Sequence, residues 1–365
     1  MITIRQWEMR SPREPLVLAQ RQVAAVPEGH AVVRVAGCGV CHTDIGFYGG
    51  EVRTNHPLPL VLGHEISGVV QAAGAGAGAW IGRQVIVPAI LPCGVCRSCA
   101  RGRYALCGAQ VFPGNDVHGG FASHTVVPAR HLCDATDVPA DDLWLMSVVA
   151  DAVSTPYEAV SRADLKEGDL AIFVGAGGVG GFGVQIAAAL GAHVVAIDPD
   201  ETRRGLAAGH GAGLTLDPKS SDIPALRKSI KAFAATRGVD AQEWKIFETS
   251  GTTAGQEVAF SLLTRGSHLG VVGFTGQKLL LQLSRLMALD ARAEGNWGCA
   301  PGRYPGLLGM IRSGKIAIRP FVERRPMSQV NMVLAEMMEH RLHRRAILVP
   351  DFPEAESWAG GTHGA

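Results

Sequence analysis

Apolar positions follow two different textures along the chain. Up to about residue 150, short β-like runs such as Ala31–Val35, Gly68–Gln71 and Gln84–Val87 alternate with Gly, Pro, Asn and Asp. That pattern predicts an irregular, mostly β region. After Asp169 the texture changes. Leu170–Val174 (LAIFV) is an unbroken apolar run of the kind a buried parallel strand carries. Val179–Leu190 follows at helical length and ends at Gly191, a residue suited to closing a helix. His193–Asp198 predicts the next strand, Thr202–Gly209 a helix and Leu214–Leu216 a short strand, with further strands at Lys245–Glu248 and His268–Gly273. Repeated β-α-β units imply a parallel sheet covered on both faces. From about Asn296 this rhythm is lost, and the chain reads as returning toward the first region.

Composition narrows the class. A length of 365 residues suggests about two domains, and 47% hydrophobic content excludes disordered and small disulfide-stapled chains. With 34 Lys+Arg against 33 Asp+Glu, nothing pulls the protein toward nucleic acid or an anionic membrane. The first ten residues, MITIRQWEMR, hold no apolar run of signal-peptide type. Leu170–Ala192 lacks formal charge, but Gly175, Gly177, Gly178, Gly180, Gly181, Gly183 and Gly191 break it as a membrane span. The expectation is a cytoplasmic protein whose clustered cysteines bind metal.

Gly175-Ala176-Gly177-Gly178-Val179-Gly180 fits G-x-G-x-x-G between the apolar strand and its helix. In that context Gly175 permits the turn, Gly177 admits a pyrophosphate and Gly180 lets helix pack on strand. The helix N-terminus adds N–H donors and a positive dipole. Asp198 ends the next strand, where a carboxylate accepts ribose hydroxyls and repels a 2′-phosphate, so NAD is expected over NADP. Arg203 and Arg204 soften that discrimination if they face the ribose.

Cys93, Cys96, Cys99 and Cys107 have the spacing C-x2-C-x2-C-x7-C. Four thiolates complete a tetrahedral zinc shell and leave no open position, which makes the site structural. A second set is scattered: Cys41 in GCGVCHTD and His64 in GHE. A catalytic zinc takes three protein ligands, so these two need a third from elsewhere.

Taken in order, GCGVCHTD, GHE, CGVCRSC…C and GAGGVG with a downstream Asp resemble the zinc-dependent medium-chain alcohol dehydrogenases over essentially the whole chain. The resemblance implies an α/β protein with a doubly wound Rossmann cofactor domain, residues 153–297. It implies a mostly β, GroES-like catalytic domain, residues 1–152 and 298–365, with a structural zinc lobe at 93–107. It implies an NAD-dependent enzyme acting on CH–OH donors, with two zinc ions per chain. The third catalytic ligand falls on Asp151, in VVADAVST, where the family usually has Cys. Charge counting tolerates the exchange, because thiolate, carboxylate and imidazole still leave zinc formally neutral. If Asp151 is not a ligand, it is a polar residue ahead of a helix capped by Thr155 and opened by Pro156. Glu65 is an extra or exchanging ligand by the same resemblance, and Asp44 would orient His64.

Thr43 matches the hydroxyl that relays a proton. The histidine that often ends this relay is replaced by Gly46, which leaves water, the ribose, His42 or His56 as the exit. By resemblance Thr155 meets the nicotinamide, Val272, Gly273 and Phe274 line the carboxamide, and Arg345 contacts the pyrophosphate; His42 is a further cofactor contact. The words PGNDVHGGFASH, VVADAVSTPY, GNWGC and RRAILVP resemble members that oxidise a cyclic allylic alcohol carried as a CoA thioester. A broader secondary-alcohol dehydrogenase, or a dinucleotide sensor without turnover, are the alternatives. The short segment between Cys107 and Gly119 resembles tetrameric members, which implies a homotetramer.

Overall fold

The protein is described here by a computed structural model covering residues 1–352; residues 353–365, the end of the expected catalytic domain, lie outside the described residues. Two large sheets carry the architecture. The parallel one has six strands in the order Ala212–Leu216, His193–Ile197, Leu170–Val174, Lys245–Glu248, His268–Val271 and Arg292–Gly295. Numbered along the chain, this is the 3-2-1-4-5-6 order of a doubly wound dinucleotide fold, which opens a crevice at the carboxyl ends where the order reverses. Alternation within single strands supplies both faces. Ala171 and Phe173 point into one core with Phe182, while Leu170, Ile172 and Val174 point into another with Leu226 and Ile230.

The second sheet is mixed and has seven strands. Val322–Pro326, Arg345–Val349, His30–Gly39, Glu65–Ala73, Gln84–Val87 and Cys133–Asp134 lie in that order, and His124–Pro128 pairs with His30–Gly39. A three-stranded sheet of Val17–Val23, Ile2–Met9 and Leu60–Val61 lies beside it. A long 3-10 segment, Ala140–Ala150, joins this β region to the cofactor fold. Its Leu143, Val148 and Val149 share one core with Phe173 and Phe182, so the halves pack on common apolar side chains.

Several expected elements shift. The helix after the glycine turn spans Gly180–Ala189 and closes at Gly191, whose φ of 87° is open to glycine. Asp198 lies one residue beyond the strand His193–Ile197, and the strand expected to end at Gly273 ends at Val271. Thr155 does not cap a helix: the helix is Ser154–Arg162, follows Val153, and places Thr155 in its first turn. After position 298 the chain contributes to both halves. Tyr304–Arg312 is a helix whose Leu307 and Leu308 join the core of Phe182, whereas Val322–Pro326 and Arg345–Val349 enter the mixed sheet and Val330, Val333 and Leu334 of the helix Val330–Met338 join the β region's core. The helices Ile223–Thr236 and Thr253–Ser261 and the edge strand Arg292–Gly295 complete the cofactor fold. Among the described residues, no helix is long and apolar enough to cross a membrane.

Candidate active site

The glycine turn sits at the crevice. Gly175 has φ 96°, and a Cβ there would meet Ser250 backbone at 2.6 Å. At Gly180 a Cβ would lie 1.8 Å from the Gly175 carbonyl oxygen, so only glycine lets this helix start so close to the strand. Gly177, Gly178 and Val179 are partly exposed along the turn. Asp198 is buried, its Oδ2 accepting from Ala176 N–H at 2.7 Å and its Oδ1 from Asp200 N–H at 2.8 Å. The carboxylate thereby fixes the turn. Arg204 donates to the Asp198 carbonyl at 2.7 Å, whereas Arg203 donates to the Leu342 carbonyl at 3.0 Å and lies 3.7 Å from a Cβ placed on Gly177. Val272 and Gly273 hang from the Glu248 carbonyl at 2.9 and 3.0 Å, and Phe274 beyond them is 56% exposed.

Cys41, His64, Glu65 and Asp151 meet at the other end of the crevice, with one potential ligand atom from each lying within 4.8 Å of the others. Local folding explains how. Cys41 precedes the helix His42–Tyr48, and its N–H donates to Asp44 Oδ2 at 2.9 Å. Asp44 Oδ1 accepts from Gly63 N–H at 3.0 Å and stands 3.4 Å from His64 Nδ1. One buried carboxylate therefore ties the Cys41 turn to the His64 turn and faces the imidazole from behind. Asp151 follows the 3-10 segment, and its Oδ2 is 3.7 Å from Cys41 Sγ and 3.5 Å from His64 Nε2. Burial pushes the Asp151 acid up, but the adjacent His64 imidazole and the hydrogen bond from Thr155 outweigh it and hold the group at about 2. Both His64 nitrogens are buried without a hydrogen-bond partner.

Those distances fit an ion. Ligands at about 2.0–2.3 Å from a tetrahedral zinc lie roughly 3.3–3.8 Å apart. A buried imidazole with no partner, beside a thiol and an ionised carboxylate, is a donor set that a divalent cation completes. Glu65, expected as an extra or exchanging ligand, lies in the cluster and is also held from behind. Both its oxygens are held by Arg345, at 2.8 Å from Nε and 2.5 Å from Nη2, and Ala152 N–H donates to Oε1 at 3.1 Å. Arg345, expected at the pyrophosphate, grips Glu65 with its fork and keeps Nη1 toward Gly178 of the glycine turn, 2.8 Å from a Cβ placed there.

Thr43 Oγ1 is 3.8 Å from Cys41 Sγ, and Thr155 Oγ1 donates to Asp151 Oδ1. His42 is exposed at the crevice, and the protein packed around it, with the positive charges of Arg345, His340 and Arg203, holds its pKa below the ordinary imidazole value. At Gly46 a Cβ would meet only Val52 at 3.6 Å, so packing does not forbid a side chain where the relay histidine is missing.

Cys93, Cys96, Cys99 and Cys107 form the other cluster. Sγ separations of 3.5 Å for Cys96–Cys99, 3.9 Å for Cys96–Cys107 and 4.0 Å for Cys93–Cys99 are near the roughly 3.8 Å edge of a four-thiolate zinc shell. Backbone N–H groups of Val95 and Cys96 draw the Cys93 thiol down to about 6, toward the thiolate a metal needs.

Sequence reasoning missed an aromatic run above the catalytic cluster. Phe112 packs on His64 with ring centroids 4.9 Å apart, and Trp297 stacks on Phe112 at 5.6 Å and 28°. The word GNWGC holding Trp297 was visible, but Phe112 stands just ahead of PGNDVHGGFASH and no spacing rule joins positions so far apart.

With this geometry in view, the chain can be set beside known proteins. Residues 27–137 match the alcohol dehydrogenase GroES-like domain and residues 178–313 the zinc-binding dehydrogenase domain, together more than half of the sequence. The chain belongs to the zinc-dependent medium-chain alcohol dehydrogenases. An alcohol dehydrogenase of Geobacillus stearothermophilus is 26% identical over 92% of this chain and 96% of its own length. The 2-dehydro-3-deoxy-L-galactonate 5-dehydrogenase of Pseudoalteromonas atlantica is 27% identical over 86% and 91%. Among solved structures, the alcohol dehydrogenase of Aeropyrum pernix superposes with TM-score 0.85 at 27% identity, covering 95% of this chain and all of the other. The chain is thus a dehydrogenase acting on CH–OH donors, built of a GroES-like and a Rossmann-like part.

Proposed function

We propose that this dehydrogenase uses NAD and two zinc ions, one catalytic and one structural, to oxidise a cyclic secondary alcohol. Its motif words resemble 6-hydroxycyclohex-1-ene-1-carbonyl-CoA dehydrogenase of anaerobic benzoyl-CoA degradation, so the substrate of this reading is that allylic alcohol thioester and the product its 6-oxo compound. One observation carries the site: Cys41, His64 and Asp151 converge while both nitrogens of the buried His64 lack a partner. Cys41, His64 and Asp151 would hold the catalytic zinc, with Glu65 retained by Arg345, and the four cysteines of 93–107 would hold the structural one. When bound, zinc supplies Lewis acidity toward the alcohol oxygen and NAD supplies the hydride acceptor.

The chain's own residues do the rest. Asp44 keeps His64 oriented so that Nε2 faces Asp151. Thr43 takes the hydroxyl proton and passes it outward, and Thr155 steadies Asp151 from the cofactor side. Gly175, Gly177, Gly178, Val179 and Gly180 cradle the pyrophosphate at the helix N-terminus, and Asp198 meets the ribose. Arg203, His42 and Arg345 Nη1 line the anionic part of the cofactor, while Val272, Gly273 and Phe274 lie toward the carboxamide. The division into 1–152 with 298–365 and 153–297, a homotetramer and a cytoplasmic location belong to the same reading.

A broader secondary-alcohol dehydrogenase is the second reading, supported by relatives named simply as alcohol dehydrogenases. Comparing kcat/KM for the CoA thioester with that for simple cyclohexanols separates the two, and comparable values remove the CoA assignment. Asp151→Asn tests the ligand set: turnover and one of two zinc ions are expected to be lost with NAD binding retained. Unchanged activity rejects the role of Asp151.

A further inference from the structure

We propose that Glu248 is a positioning residue for the nicotinamide end of the cofactor: its one buried carboxylate fixes the Val272–Phe274 loop against Ser250 and Gly251. The inference rests on the dehydrogenase reading above and adds a residue on which the placement of the ring depends. Glu248 ends the strand Lys245–Glu248 at the crevice, level with Val174 on one side and Val271 on the other. Each of these neighbouring strands runs into a cofactor segment, Val174 into the glycine turn and Val271 into Val272–Phe274.

The residue, only 1% exposed, reaches two loops at once. Its Oε1 accepts from Ser250 N–H at 2.8 Å, from the Ser250 hydroxyl at 2.5 Å and from Gly251 N–H at 3.1 Å. Its backbone carbonyl accepts from Val272 and Gly273 N–H. Its Oε2 is buried without a partner, 2.7 Å from a Cβ placed on Gly273. That same Cβ would stand 2.2 Å from Gly251 N, so the two loops meet backbone to backbone beside the carboxylate. Burial lifts this carboxyl above its ordinary range, a desolvation cost that only its hydrogen bonds offset. The glycine turn is held independently. Thr249 Oγ1 donates to the Gly175 carbonyl at 2.7 Å, and Asp198 accepts from Ala176 N–H at 2.7 Å. Withdrawing the Glu248 acceptor therefore frees Ser250, Gly251 and the Val272–Phe274 loop, while the pyrophosphate turn keeps its own anchors.

The test compares NADH with ADP-ribose, which lacks the nicotinamide, by calorimetric titration of the zinc-loaded protein in wild type, Glu248→Leu, Glu248→Asp and Glu248→Gln. Zinc content and Tm are measured alongside. Glu248→Leu removes the acceptor and Glu248→Asp withdraws it by one methylene. Both are expected to weaken NADH about tenfold and ADP-ribose less than about twofold. Glu248→Gln keeps an oxygen for Ser250 and Gly251 and is expected within about twofold of wild type for both ligands. Glu248→Asp preserves the test if Glu248→Leu does not fold. Three results overturn the positioning role: equal losses for NADH and ADP-ribose, unchanged NADH affinity in folded Glu248→Leu or Glu248→Asp, or Glu248→Gln as weak as Glu248→Leu. Wild-type protein that binds ADP-ribose as tightly as NADH overturns the carboxamide reading of Val272–Phe274. Wild-type protein that binds neither overturns the dinucleotide site itself, and the positioning role falls in both cases.

Discussion

Glu65→Gln isolates the ion pair beneath the catalytic cluster. The Glu65 carboxylate is fully buried and Arg345 shows 4% of its side chain, and two hydrogen bonds of 2.8 and 2.5 Å join them across 280 residues of chain. An amide can accept from one arm of the fork but cannot neutralise it, so a buried guanidinium is left uncompensated. Breaking one partner of such a pair costs about 3–5 kcal/mol. With an unfolding entropy of roughly 2.1 cal/mol/K per residue, a chain of 365 residues loses about 1.3 °C of Tm per kcal/mol. The expected drop is therefore about 4–7 °C by differential scanning calorimetry on zinc-loaded protein, with zinc content measured in parallel. The double variant Glu65→Gln/Arg345→Met removes both charges and should be more stable than Arg345→Met alone. A Tm within 1 °C of wild type for Glu65→Gln, or a double variant equal to the sum of the singles, would refute the reasoning.

Other outcomes follow from the same structure. Desolvation lowers His268 and His118 to about 4, below the ordinary 6.5, so the unfolded chain binds more protons between those values. Stability is fully present above pH 6.5 and falls as the solution is acidified toward pH 4; urea unfolding at stepped pH should show this, with a shallower slope in His268→Gln. Gly180→Ala forces a Cβ to 1.8 Å from the Gly175 carbonyl, so NAD affinity should collapse in calorimetric titration while the four-cysteine lobe keeps its metal. Cys107→Ser opens the lobe, and metal analysis should show loss of the structural zinc together with weakened packing of the Gln110–Phe112 segment, read from Trp297 fluorescence.

The cofactor half was largely legible because its signals are local. Leu170–Val174, Lys245–Glu248 and the glycine turn each combine strand-type apolar runs with a steric demand met within a few residues. The β half was legible only in fragments. His30–Gly39 is one long strand of which Ala31–Val35 was evident, because its remainder, Ala36–Gly39, pairs with Glu65–Ser67 and Ile347–Leu348 far along the chain. The 3-10 segment before Asp151 has no apolar face of its own, and its continuous burial comes from both halves at once. The Cys41, His64 and Asp151 set was nameable by resemblance. The capture of Glu65 by Arg345 was not, since a charge 280 residues distant leaves no trace in local pattern. The stacking of Trp297 on Phe112 was invisible for the same reason.

The position of Asp151 has a mechanical consequence. Cys41 and His64 are braced to each other through Asp44 inside the β half, whereas Asp151 opens the passage whose next turn, Ser154–Arg162, packs on the cofactor helix. One side of the donor triangle is thus rigid, and its other two sides straddle the joint. A cation seated there would act as a goniometer: any swing of one half against the other must appear as a change in its coordination angles, and a ligand that stiffens those angles must in turn resist the swing.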